Sequence, residues 1–195
     1  MTSDPILWYL NRSTGLVLLV ALTASTALGV LSLGGRPGRG LPRFVTQSLH
    51  RNLALVSVAL LVAHVAAAVT DSFVDIRWWQ AVVPVGATYQ PLWLGLGTVS
   101  LDLMAVVVAT SLLRSRLSHR AWHTVHLASW ACWAMAVVHG LGIGTDLGRT
   151  PAALMAPAHR WAALPALACI GVVLAAAVAR IWRGLWPVPD PEGAR

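Results

Sequence analysis

The chain has 195 residues, of which 57% are hydrophobic and 11% charged; soluble domains carry roughly a quarter charged residues, so this composition excludes an ordinary water-soluble enzyme. Its formal charge of +7 comes from 14 arginines and no lysine, and these sit in loops between apolar runs, a membrane-topology signal rather than a nucleic-acid-binding surface. The length leaves room for one domain of five or six spans and for no soluble catalytic domain beside them.

In chain order, the start MTSDPILWYLNR lacks the basic region, short apolar core and small-residue cleavage site of a secretory signal, so the leading apolar run is expected to be a retained span. The first span is expected over 14–33, ending at Gly34-Gly35 before the basic loop RPGRGLPR. The second, 48–69, reads SLHRNLALVSVALLVAHVAAAV and carries His50 near its start and His64 near its end. Residues 70–91 hold Asp71, Asp75, Arg77, Trp78, Trp79 and Pro84 and are too polar and broken to cross a bilayer. Their aromatic content suits a segment lying at the interface over the outer end of the bundle. A third span, 92–113, leads into the basic loop RSRLSHR, and a fourth, 122–143, carries His126 and His139. After a turn-rich connection the fifth runs over 161–182, with Pro165 accepted in its first turns. The expected fold is all-α, a polytopic membrane helix bundle of about five transmembrane helices plus an interfacial outer segment, forming a single domain.

Arginine counting orients it. Arg36, Arg39 and Arg43 cluster between spans one and two with Arg51 just beyond, Arg114, Arg116 and Arg120 between three and four, and Arg180, Arg183 and Arg195 at the end. The alternate connections hold only Arg77, Arg149 and Arg160, with Asp71, Asp75 and Asp146 among them. The positive-inside rule then places the N-terminus outside and the C-terminus in the cytoplasm of a multi-pass plasma-membrane protein, with Arg12 the one dissenting charge. Arginine in place of lysine and abundant alanine are consistent with a bacterium of high GC content.

Ionisable side chains inside hydrocarbon are costly enough to mark functional sites. His50 and His64 are 14 residues apart, ~21 Å of helix rise and within ~40° of a whole number of turns, so both face nearly one side at two depths. His126 and His139 are 13 apart, ~20 Å of rise, and match those depths. With spans two and four parallel, His50 pairs with His126 near the cytoplasmic face and His64 with His139 near the outer face. Two imidazoles on opposite sides of a planar ring are what a haem iron accepts, and with no CxxCH for covalent attachment the expected cofactors are two b-type haems. Thirteen residues of ideal helix leave His126 and His139 ~140° apart in direction, so span four must be tightened or bent, or the two sites approached from different angles. His123 is an alternative to His126, although its sixteen-residue spacing leaves an offset of ~160°.

Around these histidines, Arg51, Arg77 and Arg120 are candidates for pairing with haem propionates, or else are interfacial anchors. Trp78 and Trp79 are candidates to shield an outer haem. Asp102 in the third span either relays protons or hydrogen-bonds within the bundle. His119 and His159 fall at loop positions, and His159 lies near enough in sequence to approach an outer haem edge. Cys132 and Cys169 lie in apolar runs and read as packing residues.

The paired histidines on spans two and four, with His50 followed by Arg51, resemble the ferric reductase-like transmembrane domain, the family shared by ferric reductases, NADPH oxidases and the haem-binding membrane subunit of the bacterial methionine sulfoxide reductase system. The resemblance covers most of the chain. It implies two b haems between two helices, with His50 and His126 holding the inner one and His64 and His139 the outer. Unlike the eukaryotic members, this sequence shows no flavin- or nicotinamide-binding region and no GxGxxG after a strand. The expected function is therefore a di-haem b electron-transfer subunit. Its donor would be a separate flavin- or NAD(P)H-dependent reductase or a quinone, and its acceptor ferric iron, oxygen or a flavoprotein on the outer face. The partners would include the lipid bilayer and no nucleic acid. A histidine-lined transition-metal transporter and a haem-binding sensor or assembly protein are the alternatives.

Overall fold

A computed structural model describes residues 5–32, 42–72, 74–144 and 160–185. They form five long helices, α1 (Pro5–Ser32), α2 (Arg43–Thr70), α3 (Pro91–Leu112), α4 (His119–Ile143) and α5 (Arg160–Leu185), with no strand among the described residues. The shortest has 22 residues, ~33 Å of rise, enough for the ~30 Å hydrocarbon core of a bilayer. All five are long and apolar enough to cross a membrane, and the protein is a multi-pass helical bundle. Large apolar side chains such as Leu55, Val62, Leu112, Leu174 and Ile181 stand exposed on its outside, as suits a surface wetted by lipid.

The first helix begins at Pro5, well before the 14–33 expected of its apolar run. Asn11, Arg12 and Ser13 end the hydrophobic stretch but do not end the helix. Pro5 suits the first turn of a helix. Ser13 and Thr14 bond back to the Leu10 carbonyl at 3.2 and 2.7 Å and so spend their hydroxyls within the helix. The other helices run within a few residues of expectation, and α2 starts five residues early at Arg43. Pro165 sits inside α5, in its second turn.

α1 is the central helix. It packs antiparallel to α2, against α5, and touches α4, while α3 packs along α4. Leu18, Ala21, Leu22, Ala27 and Val30 are buried, as are the polar Thr23 and Ser25. On α5 the stripe Ala163, Ala166, Cys169, Val173 and Ala176 is buried, and Ala176 meets Ala27 and Val30 beside Trp130 of α4. The Trp133 indole of α4 donates to Thr23 Oγ1 at 2.9 Å. Between α3 and α4, Ser100 Oγ donates to the Cys132 carbonyl at 2.9 Å and the Cys132 thiol donates to the Ser100 carbonyl at 3.2 Å. Cys132 and Cys169 are buried free thiols.

Residues 74–90 fold back over one end of α3 with a single 3₁₀ turn, Trp78–Ala81. Gln80 is buried and its side-chain oxygen accepts from the Arg77 N–H at 3.0 Å, while its carbonyl accepts from Thr98 Oγ1 of α3 at 2.7 Å. The Pro84 carbonyl lies where a Cβ on Gly95 would stand, 2.6 Å away, so the segment's backbone rests directly on α3. The chain enters α3 through Gln90 in the left-handed region (φ 43°).

Candidate cofactor site

α2 and α4 are not packed along each other; they are bridged at one end by two imidazoles. The rings of His50 and His126 have centroids 6.1 Å apart. At the other end His64 and His139 line one cavity of ≈ 330 Å³ between α1, α2, α3 and α4, within the size range of small-molecule and cofactor sites. The pairs occupy opposite ends of two parallel helices, and His123 is not the residue brought to His50. It stacks instead on His119, centroids 6.1 Å apart and planes 12° apart.

Three of the four rings are held in one way. His50 Nδ1 lies 2.9 Å from the Ser25 carbonyl, His64 Nδ1 3.0 Å from the Asn11 carbonyl, and His139 Nδ1 2.7 Å from the Trp93 carbonyl. A carbonyl can only accept, so in each ring Nδ1 carries the hydrogen and Nε2 keeps its lone pair, the nitrogen a metal would take.

The approach to those carbonyls depends on glycine. In an α-helix the carbonyl of residue i points at residue i+4, whose side chain ordinarily screens it from a third group. Residue i+4 is Gly15 above Asn11, Gly29 above Ser25 and Gly97 above Trp93. A Cβ built at Gly97 would stand 2.6 Å from His139, at Gly15 3.0 Å from His64, and at Gly29 3.5 Å from His50. His64 and His139 thus lie in gaps that a side chain would close, His50 beside one with room for a methyl, and each uses the second lone pair of a carbonyl already bonded within its helix. Trp93 serves twice, since its indole also packs against Gly142 of α4.

His126 has no such seat. Its Nδ1 is buried without a hydrogen-bond partner, and its ring lies on the Trp122 indole, centroids 4.9 Å apart and planes 22° apart. α4 is one uninterrupted helix over both histidines. Their directions therefore differ as a thirteen-residue spacing requires, with His139 turned to α3 and His126 to His50.

Of the other residues singled out in the sequence, Arg51 and Arg120 are exposed. Arg77 is exposed as well and pairs with Asp75 at 3.6 Å; it does not line the cavity. Trp78 is 76% exposed and Trp79 packs over Gly86, and neither lines the cavity. Asp102 is half-buried on α3, away from the cavity lining. His159 lies outside the described residues. The cavity wall holds instead Trp8 and Arg12 of α1, with the Arg12 guanidinium 4.8 Å from the Trp8 ring centre. Sequence reasoning noted Arg12 only as a topological exception and missed Asn11, Gly15, Gly29, Trp93 and Gly97. The signal was present: Gly15 and Gly29 repeat the fourteen-residue interval of His50 and His64. No protein-family model, curated protein or solved structure matches this chain.

Proposed function

We propose that the protein is a di-haem b transmembrane electron-transfer subunit of the ferric reductase-like kind, with one haem held by His50 and His126 and the other by His64 and His139. The observation that carries this is the anchoring of Nδ1 in three of the four rings, because metal-binding histidines characteristically donate their far N–H to a carbonyl or carboxylate, which fixes the ring and raises the basicity of the ligating nitrogen. The spacing at the other pair agrees. Two imidazoles that share a metal at ~2.0–2.1 Å per nitrogen have ring centres about 6 Å apart, and His50 and His126 stand at 6.1 Å.

Bound there, the haems supply one-electron redox chemistry. The chain's own residues fix where it happens. α1 holds the two rings of α2, and α3 holds His139, so three of the four ligating nitrogens are oriented before any cofactor arrives. The leucines, valines and alanines lining the outer cavity exclude water and lower the local dielectric. Arg12 on that wall is placed to pair with a carboxylate at the outer end, and Arg51, beside His50, is the corresponding candidate at the inner end.

The positive-inside rule assigns the His50/His126 end, with the arginines of the α1–α2 and α3–α4 connections, to the cytoplasm. The donor on that side is a separate flavin- or NAD(P)H-dependent reductase or a membrane quinol; the acceptor outside is ferric iron, oxygen or a flavoprotein. A transporter for bare transition-metal ions is less well supported. Protein-only metal sites take three or four ligands, and among the described residues no group of three or more His, Cys, Asp or Glu gathers to hold one. Electron paramagnetic resonance of the purified protein tests the proposal. Low-spin ferric haem with bis-imidazole ligation is expected, and a high-spin signal alone, or none from haem-replete cells, contradicts it.

A further inference from the structure

The four histidines are held unequally, and the odd one stands opposite a well-held partner. His50, His64 and His139 each donate Nδ1–H to a carbonyl behind a glycine. His126 does not, and the indole N–H of Trp122, on which it lies, is likewise buried without a partner. Removing the outer hydrogen-bond partner of a metal-binding histidine commonly weakens the metal's hold about 10–100-fold. His126 begins with that deficit. A buried nitrogen without an acceptor also gains one when its ring swings toward water, so displacement of His126 relieves an unsatisfied group, whereas displacement of the other three creates one.

Resting on the di-haem reading, we propose that His126 is a replaceable ligand and that the inner site, unlike the outer, admits a small exogenous ligand on its α4 side. The surroundings select the ligand's class. The groups near His126 include the His50 ring, the Trp122 indole and His123, and the guanidinium of Arg114 is engaged over that same indole at 4.4 Å. Aromatic rings and a cation already placed suit a neutral diatomic that needs neither a counter-charge nor more room than a displaced imidazole leaves. No bond beyond the iron–nitrogen link to His126 breaks, and the ring stays tethered to α4. His50 keeps its carbonyl and holds the iron from the other face.

The test uses the purified full-length holoprotein, reduced with dithionite and titrated with carbon monoxide. The account expects about half of the haem to change spectrum, and expects this half to be the one that disappears in His50→Ala and persists in His139→Ala. It also expects His126→Ala to retain the inner haem, to bind carbon monoxide more tightly than wild type because no imidazole has to be displaced, and to regain a low-spin spectrum when free imidazole is added. A wild type that carries two haems but shows no carbon monoxide change overturns the inference and leaves the di-haem reading standing, as does a reactive half that vanishes with His139. Loss of the inner haem in His126→Ala as complete as in His50→Ala overturns it too, by a route that does not depend on the gas. A chain that takes up no haem overturns both.

Discussion

The two ends of the bundle are built from the same residue type and differ in how that residue is supported. At one end, His64 leans on α1 and His139 on α3, each over a glycine, and the cavity opens between them. At the other end only His50 is supported, and His126 rests on an indole. The cause is the arithmetic of the helix. His50 and His64 are fourteen residues apart, the interval that also separates Asn11 from Ser25 and Gly15 from Gly29 on the helix packed against them, so α1 presents two seats in register with two rings. On α4 the interval is thirteen, which turns the two rings ~140° apart. When His139 faces α3, His126 cannot, and it reaches toward α2 instead. A one-residue difference in spacing thus makes one site rigid on both sides and the other on one.

The largest expected effect that sharpens this contrast comes from the ligands themselves. His64→Ala and His139→Ala should each remove the outer haem with similar severity, whereas His50→Ala should cost the inner site far more than His126→Ala. Haem-to-protein ratios of the four variants check it, and equal losses at the inner pair would erase the distinction between the ends.

Next come the glycine seats, ranked by the room each leaves. Gly97→Ala forces a Cβ to 2.6 Å of His139. Overpacking of this kind costs ~1–3 kcal/mol, so the outer haem's retention should fall roughly 5–150-fold. Gly15→Ala, at 3.0 Å from His64, should weaken the same site less. Gly29→Ala, at an ordinary 3.5 Å from His50, should leave both haems in place and stabilise α1 slightly, since alanine is favoured over glycine inside a helix by roughly 0.5–1 kcal/mol. Competitive haem transfer to an apo-acceptor protein measures all three, and a Gly29 effect larger than that of Gly97 would break the proposed seating.

The five helices were legible because an apolar run of twenty residues has few other fates, and the histidine pairs were legible because charge-bearing groups are rare there. The beginning of α1 was not. Asn11 and Arg12 interrupt the hydrophobic pattern, and hydropathy cannot tell a polar residue that ends a helix from one that turns inward within it. The seats were illegible for another reason. A glycine in an apolar span usually signals close packing of any kind, and only the ring opposite Gly15, Gly29 or Gly97 says what the gap is for. Arg77 illustrates the reverse. Its position in the sequence suggested a propionate partner, yet it lies exposed against Asp75 and does not line the cavity that Arg12 lines. Replacing Arg12 with Gln is accordingly expected to shift the outer haem's potential downward by tens of millivolts through loss of a nearby positive charge, and Arg77→Gln to shift it less. Potentiometric titration separates the two, and a larger effect of Arg77 would return the propionate role to it.

The smallest effect is expected at the Ser100–Cys132 contact, which lies on the cavity wall but holds no histidine. Ser100→Ala removes a buried hydroxyl from the Cys132 carbonyl, which should cost ~1 kcal/mol of bundle stability and leave both haems bound, with any spectral change confined to the haem of the cavity that Ser100 lines. Thermal unfolding in detergent alongside the visible spectrum checks it, and loss of a haem would show that the α3–α4 lock is needed to hold one.

The most direct test of the central claim is the haem content of the wild-type chain beside that of His64→Ala and His50→Ala, measured as pyridine haemochrome per chain after production in haem-replete cells. The account predicts two, one and one, with the two variants retaining spectrally different haems. A wild type without haem, or two variants that lose the same spectral component, would contradict it.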